Sequence, residues 1–302
     1  MTINSMSWPK EIICDSNDAI REIVLARRCY FYDTSAFRNH ASVSNRKLIL
    51  QYIKQMQGIV IITKSVLLEL CYPNSGFWEE HVKYLNEMAE MELKVLFINE
   101  EDIVELLQSC YNSTAQINLW LSYAVKCVKS RCSAIETILL QEHDLKKEVF
   151  VNCSGQDSLL GRRFFEKMRL NKKSGDNLGE ELISVCFHML TNMPESGNYK
   201  YIMLTDDKYA VRLLGKVKQN VMSSDAKKYI SAHTSANLCW HMKNAGIITC
   251  KEEIIEILNG ERGNEQITCC YSETYALFPE MQSVRCEVLA EQVMQGAVKI
   301  YM

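Results

Sequence analysis

The chain is poor in the residues that break or cross-link structure. Only 4 of its 302 residues are proline and 12 glycine, which excludes collagen-like and low-complexity architectures. With 47% hydrophobic and 24% charged residues it has the composition of an ordered globular protein. No apolar run approaches the roughly 20 residues that a membrane-spanning helix needs. The first eighteen residues hold neither a basic segment nor an apolar core, so no secretory signal is expected. The expectation is a cytoplasmic protein with no membrane partner. No CxxC occurs among the 13 cysteines. The nearest pairs are Cys127/Cys132 and Cys269/Cys270, and no histidine spacing completes a zinc set, so reduced thiols acting as small hydrophobes are expected. There is no GxxxxGK[ST] and no GxGxxG, which excludes the common nucleotide-cradling loops.

Charge is near balance, with a formal net charge of −3, so the chain is not a globally basic nucleic-acid binder. Locally the balance fails. Residues 79–105 carry nine acids against Lys83 and Lys94. Residues 162–173 carry Arg162, Arg163, Lys167, Arg169, Lys172 and Lys173 against Glu166.

Short β-branched apolar runs at 29–33, 59–63, 94–98 and 199–205 predict strands, with a fifth near 228–232. Helical periodicity falls between them, at about 17–28, 44–57, 65–71, 178–190, 208–218, 235–244 and 251–259. Alternating strands and helices predict an α/β protein: a three-layer α/β/α sandwich around a central, mostly parallel sheet. Residues of about 106–170 show helical period without strand signals and are expected to be a helical insert within a domain of residues 1–263. The pattern changes afterwards, leaving 264–302 as a C-terminal extension without a role. Within it 271–278 reads as strand or loop and 284–295 as a helix.

Several acids stand where chemistry is done in such sheets. Asp33 follows Tyr-Phe-Tyr, and Asp206-Asp207 follows Ile-Met-Leu-Thr, so both lie at the carboxyl ends of predicted strands, where open α/β sheets bind ligands. Carboxylates gathered there repel unless a cation lies among them, and Mg²⁺ or Mn²⁺ suits oxygen ligands. Glu69 sits among aliphatic residues, where an ionised group needs a partner; the plainer account is a partly exposed helix face. Asp176 and Glu180 are four apart and share a helix face, but Asn177 with Glu180 also makes a capping box. Asp206-Asp207 may equally cap the helix that begins near Lys208.

The set resembles the PIN-domain family of metal-dependent nucleases. The resemblance lies in Tyr-Phe-Tyr-Asp33-Thr-Ser, Ser-Val-Leu-Leu-Glu69-Leu, Leu-Gly-Glu180-Glu and Met-Leu-Thr205-Asp206-Asp207, with a closing segment from His233, and covers about residues 20–110 and 174–260. The separation of 111 positions from Glu69 to Glu180 (180 − 69) is a departure that the helical insert must absorb. The resemblance implies a PIN-like fold and an endoribonuclease in which Asp33, Glu69, Glu180 and Asp207 are catalytic. The metal would be held by these with Asp176 and Asp206, and whether Asp176 or Glu180 is the third acid stays open. Thr34, Ser35 and Thr205 would orient carboxylates or water. Arg162, Arg163, Lys167, Arg169, Lys172 and Lys173 would hold a single-stranded or structured RNA, with Phe164-Phe165 either stacking on bases or facing the core. The resemblance leaves room for an antitoxin-like inhibitor and for a homodimer. The rival reading is a non-catalytic PIN-like nucleic-acid-binding or regulatory protein. A phosphoaspartyl hydrolase is disfavoured, because Asp33-Thr-Ser35 lacks the DxD it would need.

Overall fold

Strands form where apolar β-branched residues run without alternation, because each strand is covered on both faces. Those in the middle of the sheet are β2 (Arg28–Tyr32), β3 (Gly58–Thr63) and β6 (Val95–Ile98), buried almost throughout. With β1 (Ile12–Ile13), β7 (Lys200–Leu204) and β8 (Ile230–His233) they make a six-stranded sheet ordered β1-β6-β3-β2-β7-β8. Every pairing within it is parallel. A computed structural model provides these coordinates and describes residues 12–13, 16–72, 76–155, 158–194, 200–221, 230–260, 266–273 and 280–301. Helices flank the sheet, an arrangement compatible with a three-layer α/β/α sandwich. No helix among the described residues is long and apolar enough to cross a membrane.

The helices before the insert are α1 (Ser16–Leu25), α2 (Thr34–Ser42), α3 (Lys47–Gln55), α4 (Lys64–Leu70) and α5 (Glu79–Glu90). A two-stranded hairpin of β4 (Cys71–Tyr72) and β5 (Gly76–Phe77) lies between α4 and α5. Next come α6 (Asp102–Cys110), α7 (Thr114–Val128), α8 (Ala134–Gln141), α9 (His143–Phe150) and α10 (Leu160–Leu170), with no strand among the described residues of this stretch. It is joined to the sheet domain by α11 (Leu178–Leu190), which packs on α7 and is buried at nearly every position. Phe164 and Phe165 are fully buried, so they build the core and do not face a base.

Sequence reading missed α2. Its run TSAFRNHAS is polar, yet Ala36, Phe37, His40 and Ala41 form a buried stripe that tertiary packing stabilises. The remaining helices are α12 (Lys208–Asn220), α13 (Ser235–Asn244), α14 (Lys251–Asn259) and α15 (Cys286–Gln295). The C-terminal residues form a three-stranded antiparallel sheet, with β9 (Gln266–Glu273) between β10 (Glu280–Arg285) and β11 (Val298–Tyr301). The helix expected at 284–295 begins at Cys286, because Val284 and Arg285 still pair with β9. Asn237 Nδ2 donates to the Ile300 carbonyl (3.0 Å) and Trp240 Nε1 to that of Val298 (3.1 Å), which fastens β11 to α13.

Chain direction across the sheet reverses between β2 and β7. From β2 the chain moves outward to β3 and β6, whereas from β7 it moves the opposite way to β8. A crevice therefore opens between the carboxyl ends of β2 and β7, the place where such sheets bind ligands.

Candidate functional site: an acidic cleft at the sheet's carboxyl edge

Asp33 leaves β2 at this crevice. Its N–H donates to the Leu204 carbonyl at the end of β7 (2.9 Å), and its side chain caps α2. Ser35 Oγ (2.6 Å) and Thr205 Oγ1 (2.9 Å) both donate to Asp33 Oδ2. The other oxygen, Oδ1, is buried with no hydrogen-bond partner in a residue only 1% exposed. Burial raises the Asp33 pKa, the two hydroxyls pull it partly back, and the Glu69 charge pushes it up again.

Glu180 lies in the first turn of α11, 9% exposed, and its Oε2 is likewise buried without a partner. Its pKa rises to about 8, first through burial and then through the charge of Asp33, with smaller effects from Glu69 and Asp207. Glu69, Glu180 and Asp207 line one cleft, and Asp33 is next in sequence to its lining residues Thr34 and Ser35. The capping box is not formed: Asn177 makes no side-chain cap bond, and Asp176 Oδ1 accepts from the Leu178 N–H instead (3.2 Å). Glu180 is thereby left without the structural job that the sequence offered it.

Glu69 does have partners. Thr34 Oγ1 donates to its Oε2 (2.5 Å), and Lys172 Nζ lies 2.6 Å from its Oε1. That oxygen lacks hydrogen-bond geometry but is neutralised as an ion pair, so it is not equivalent to the free oxygens of Asp33 and Glu180. The carboxylate reaches the start of α11 because Gly179 has no side chain there; a Cβ would stand 2.7 Å from Glu69 Oε1. Lys172 also pairs with Asp176 Oδ1 at 2.8 Å. Burial works against the ammonium, but Glu69 and Asp176 outweigh it and raise its pKa. Asp176, expected among the metal ligands, also accepts from the Lys173 N–H (2.6 Å) and is thus a turn-forming, ion-paired residue.

The neighbours Asp206 and Asp207 differ in the same way. Asp206 accepts from the Ser235 N–H (2.7 Å), Ser235 Oγ (2.6 Å) and Asn39 Nδ2 (3.1 Å). Ser235 Oγ lies 3.1 Å from His40 Nε2, and His40 Nδ1 lies 3.0 Å from the Tyr32 hydroxyl. Asp206 therefore holds α13 to α2, with both of its oxygens, expected to be metal ligands, accepting from protein donors. Asp207 caps α12 through Oδ1, which accepts from the Tyr209 N–H (2.6 Å), and it lines the cleft.

The basic segment does not face this site. Arg162 pairs with Glu105, Arg163 with Glu148 and Lys167 with Glu142. Arg169 is buried between Glu100 and Glu101. Arg162 and Arg169 line a separate depression with Lys64, Glu101 and Glu105. Of the basic residues expected to hold RNA, only Lys172 reaches the acids, and it neutralises them. Carboxylates supplied by the helical insert and by residues 100–105 claim Arg162, Arg163, Lys167 and Arg169, while Lys173 is exposed and is not among the residues lining the cleft.

The cleft itself has a volume of about 910 Å³ and is lined by Thr34, Ser35, Glu69, Asp176, Glu180, Asp206 and Asp207. Asp33, buried and next in sequence to Thr34 and Ser35, is not itself among the lining residues. Sequence reading missed two further parts of its wall. One is basic: Arg38 from α2, with Lys208, Arg212 and Lys218 from α12. The signal was present, since 208, 212, 215 and 218 recur at helical spacing directly after Asp207. The other is β9, which no motif marked.

Among the described residues, no group of three or more His, Cys, Asp or Glu side chains is gathered tightly enough to hold a metal ion. The unpartnered oxygens of Asp33 and Glu180 form a smaller donor set, and they suit an ion that takes one or two carboxylates and keeps several waters. No protein-family model, curated protein or solved structure matches the chain.

Proposed function

We propose that this chain is a metal-dependent phosphodiesterase with a PIN-like acidic centre, cleaving nucleic acid and RNA in particular. The observation that carries this reading is the pair of buried carboxylates, Asp33 and Glu180, each with an oxygen lacking any protein donor, beside the crevice between β2 and β7. Burying such groups without partners costs several kcal/mol in proteins, and a cation between them offsets that cost. Mg²⁺ or Mn²⁺, when bound, supplies a water of lowered pKa and neutralises charge on the scissile phosphate. Asp33 and Glu180 would hold the ion. Ser35 and Thr205 fix the Asp33 carboxylate, and Thr34 fixes that of Glu69. Asp207 adds negative potential that would strengthen cation binding at the pair, while Glu69 is offset by Lys172. No serine or histidine nucleophile is required.

The test is cleavage of labelled single-stranded RNA with Mg²⁺ or Mn²⁺, with EDTA as control. Activity that depends on metal and disappears in Asp33→Asn supports the reading; undiminished cleavage in both Asp33→Asn and Glu180→Gln overturns it.

One observation favours the non-catalytic alternative: Lys172 already neutralises Glu69 and Asp176 as a metal would. Under that alternative, Mg²⁺ and Mn²⁺ leave the thermal midpoint unchanged, and Lys172→Met does not create metal binding.

A further inference from the structure

The basic residues that face the cleft are separate from those the sequence singled out, and they are arranged in a line. Lys208, Arg212 and Lys218 lie on one stripe of α12, which starts immediately after Asp207 and runs about 15 Å at 1.5 Å per residue. Gly215 interrupts the stripe, and the direction its side chain would take is open, with nothing within 4 Å. None of the three makes an ion pair with any described residue. The same cleft is also lined by β9, whose Gln266, Thr268 and Cys270 bring neutral side chains to it.

We propose that α12 and the C-terminal β9 form a two-walled track that holds the sugar–phosphate backbone of a single-stranded nucleic acid as it enters or leaves the acidic centre. This inference rests on the phosphodiesterase reading of the cleft and gives the C-terminal sheet its role, as the wall that narrows it. Three lines of physical reasoning support it.

Cations without an ion pair among the described residues, along a helix starting at the acids, match a chain with a regular spacing of negative charge. Phosphates bound there offset the repulsion that the acidic centre alone would exert on the substrate. Burial also lowers the Lys218 pKa, a cost that a bound anion reverses.

The walls decide which form of nucleic acid enters. Asp33 is 1% and Glu180 9% exposed, so a scissile phosphate must descend into the cleft to reach them. A double helix carries its phosphates on the outside of a thick, stiff rod, and β9 stands in the way of its approach. A single strand bends and can thread between the walls. Fastening of β11 to α13 by Asn237 and Trp240 keeps the second wall in place.

The experiment measures binding in EDTA, so that cleavage does not intervene. Fluorescence anisotropy is recorded for the full-length protein with labelled oligouridylate, oligothymidylate and an RNA duplex of equal length, across a salt series. The double variant Arg212→Glu/Lys218→Glu is compared with Lys47→Glu/Lys147→Glu, a charge-matched control whose two lysines are exposed and absent from the cleft lining. Circular dichroism checks that each is folded, and Arg212→Lys/Lys218→Arg tests whether charge alone suffices.

The expected result is that both single strands bind the wild type more tightly than the duplex does. Arg212→Glu/Lys218→Glu should weaken single-strand binding at least about tenfold and make the slope of log K against log salt shallower by about 1.4, the value for two lost phosphate contacts. The charge-conserving variant should bind like the wild type. Equal binding by the charge-reversed variant and its control overturns the track, and equal affinity for duplex and single strand overturns the role of β9. Preference for oligouridylate over oligothymidylate would assign the track to RNA, and parity to single strands of both kinds. Separately, wild-type hydrolysis of bis(4-nitrophenyl) phosphate with Mn²⁺ reports on the acidic centre alone. Its absence counts against the phosphodiesterase reading, while the anisotropy data still decide the track.

Discussion

Two sets of acids in this protein, buried except for the half-buried Asp206, invite comparison. Asp206, Glu100 and Glu181 are held by protein donors: Asp206 by Ser235 and Asn39, Glu100 by Ser65 and Arg169, Glu181 by the amides of Ala134 and Ile135 and the Tyr209 hydroxyl. Asp33 and Glu180 each keep an oxygen that no donor reaches. The first set ties elements together: α13 to α2, α4 to α10, and α8 to α11 and α12. In the second set Asp33 ties α2 to the end of β7 through Oδ2 alone, while Asp33 Oδ1 and Glu180 Oε2 tie nothing. Burial alone does not mark a functional acid; a buried acid left with unmet hydrogen-bonding capacity does.

The widest separation between the two sets is expected in catalysis. Outer partners of metal ligands typically cost 10–100-fold when removed, so Asp33→Asn, a change at a ligand, should lower metal-dependent cleavage by more than about 100-fold. It should also raise the metal-free melting temperature, because a buried charge beside Glu180 disappears. A fall in melting temperature would move Asp33 into the structural set.

Stability should show the reverse. Asp206→Ala removes a charged acceptor from three donors and is expected to cost about 3 kcal/mol in chemical denaturation. Loss of less than about 0.5 kcal/mol, the size of an ordinary surface substitution, would break the distinction.

A pH series sharpens it further. In the metal-free fold Glu180 keeps its proton up to about pH 8, against 4.5 for an ordinary carboxyl. Its folded pKa is raised, so the metal-free protein loses stability from this group as pH rises from about 4.5 to about 8. Glu180→Gln should recover on the order of 3 kcal/mol at the upper end of that range, and Mg²⁺ or Mn²⁺ should recover part of it in the wild type. His40, in the structural network, has the opposite sign. Burial lowers its pKa from 6.5 to about 4, so its contribution is lost as pH falls through that interval. Urea melts of the wild type, Glu180→Gln and His40→Asn at several pH values measure both slopes. An unchanged slope in Glu180→Gln would mean that the carboxyl is solvated.

The smallest effect is expected for Arg163, whose partly exposed pair with Glu148 lies on the helical insert away from the cleft. Arg163→Gln should change stability by no more than about 1 kcal/mol and leave oligonucleotide binding unaltered. Weakened binding would return the 162–173 segment to the nucleic-acid surface.

Much of the sheet was legible because its strands are continuous apolar runs, and continuity of that kind survives only where both faces are covered. The helix at 34–42 was not legible, since its polar composition favours no helix and only the packing of Phe37 and Ala41 rescues it. The placement of Asp33 and Asp207 at strand ends could be read directly. Whether each acid keeps a free oxygen could not, because the deciding donors come from Ser235, Thr205, Lys172 and Arg169, far away in the chain. The same holds for the basic segment: six cations within residues 162–173 predict a phosphate surface until Glu100, Glu101, Glu105, Glu142 and Glu148 fold against four of them.

Local sequence by itself determined the alternation of strands and helices and the ends at which the acids emerge, since both follow from near-neighbour side chains and the two periodicities of the backbone. Only the tertiary structure decided which carboxylates are satisfied, which cations remain unpaired, and that the C-terminal strands wall the cleft. Those outcomes depend on which distant groups come within a hydrogen bond's reach, and that distance is set by packing.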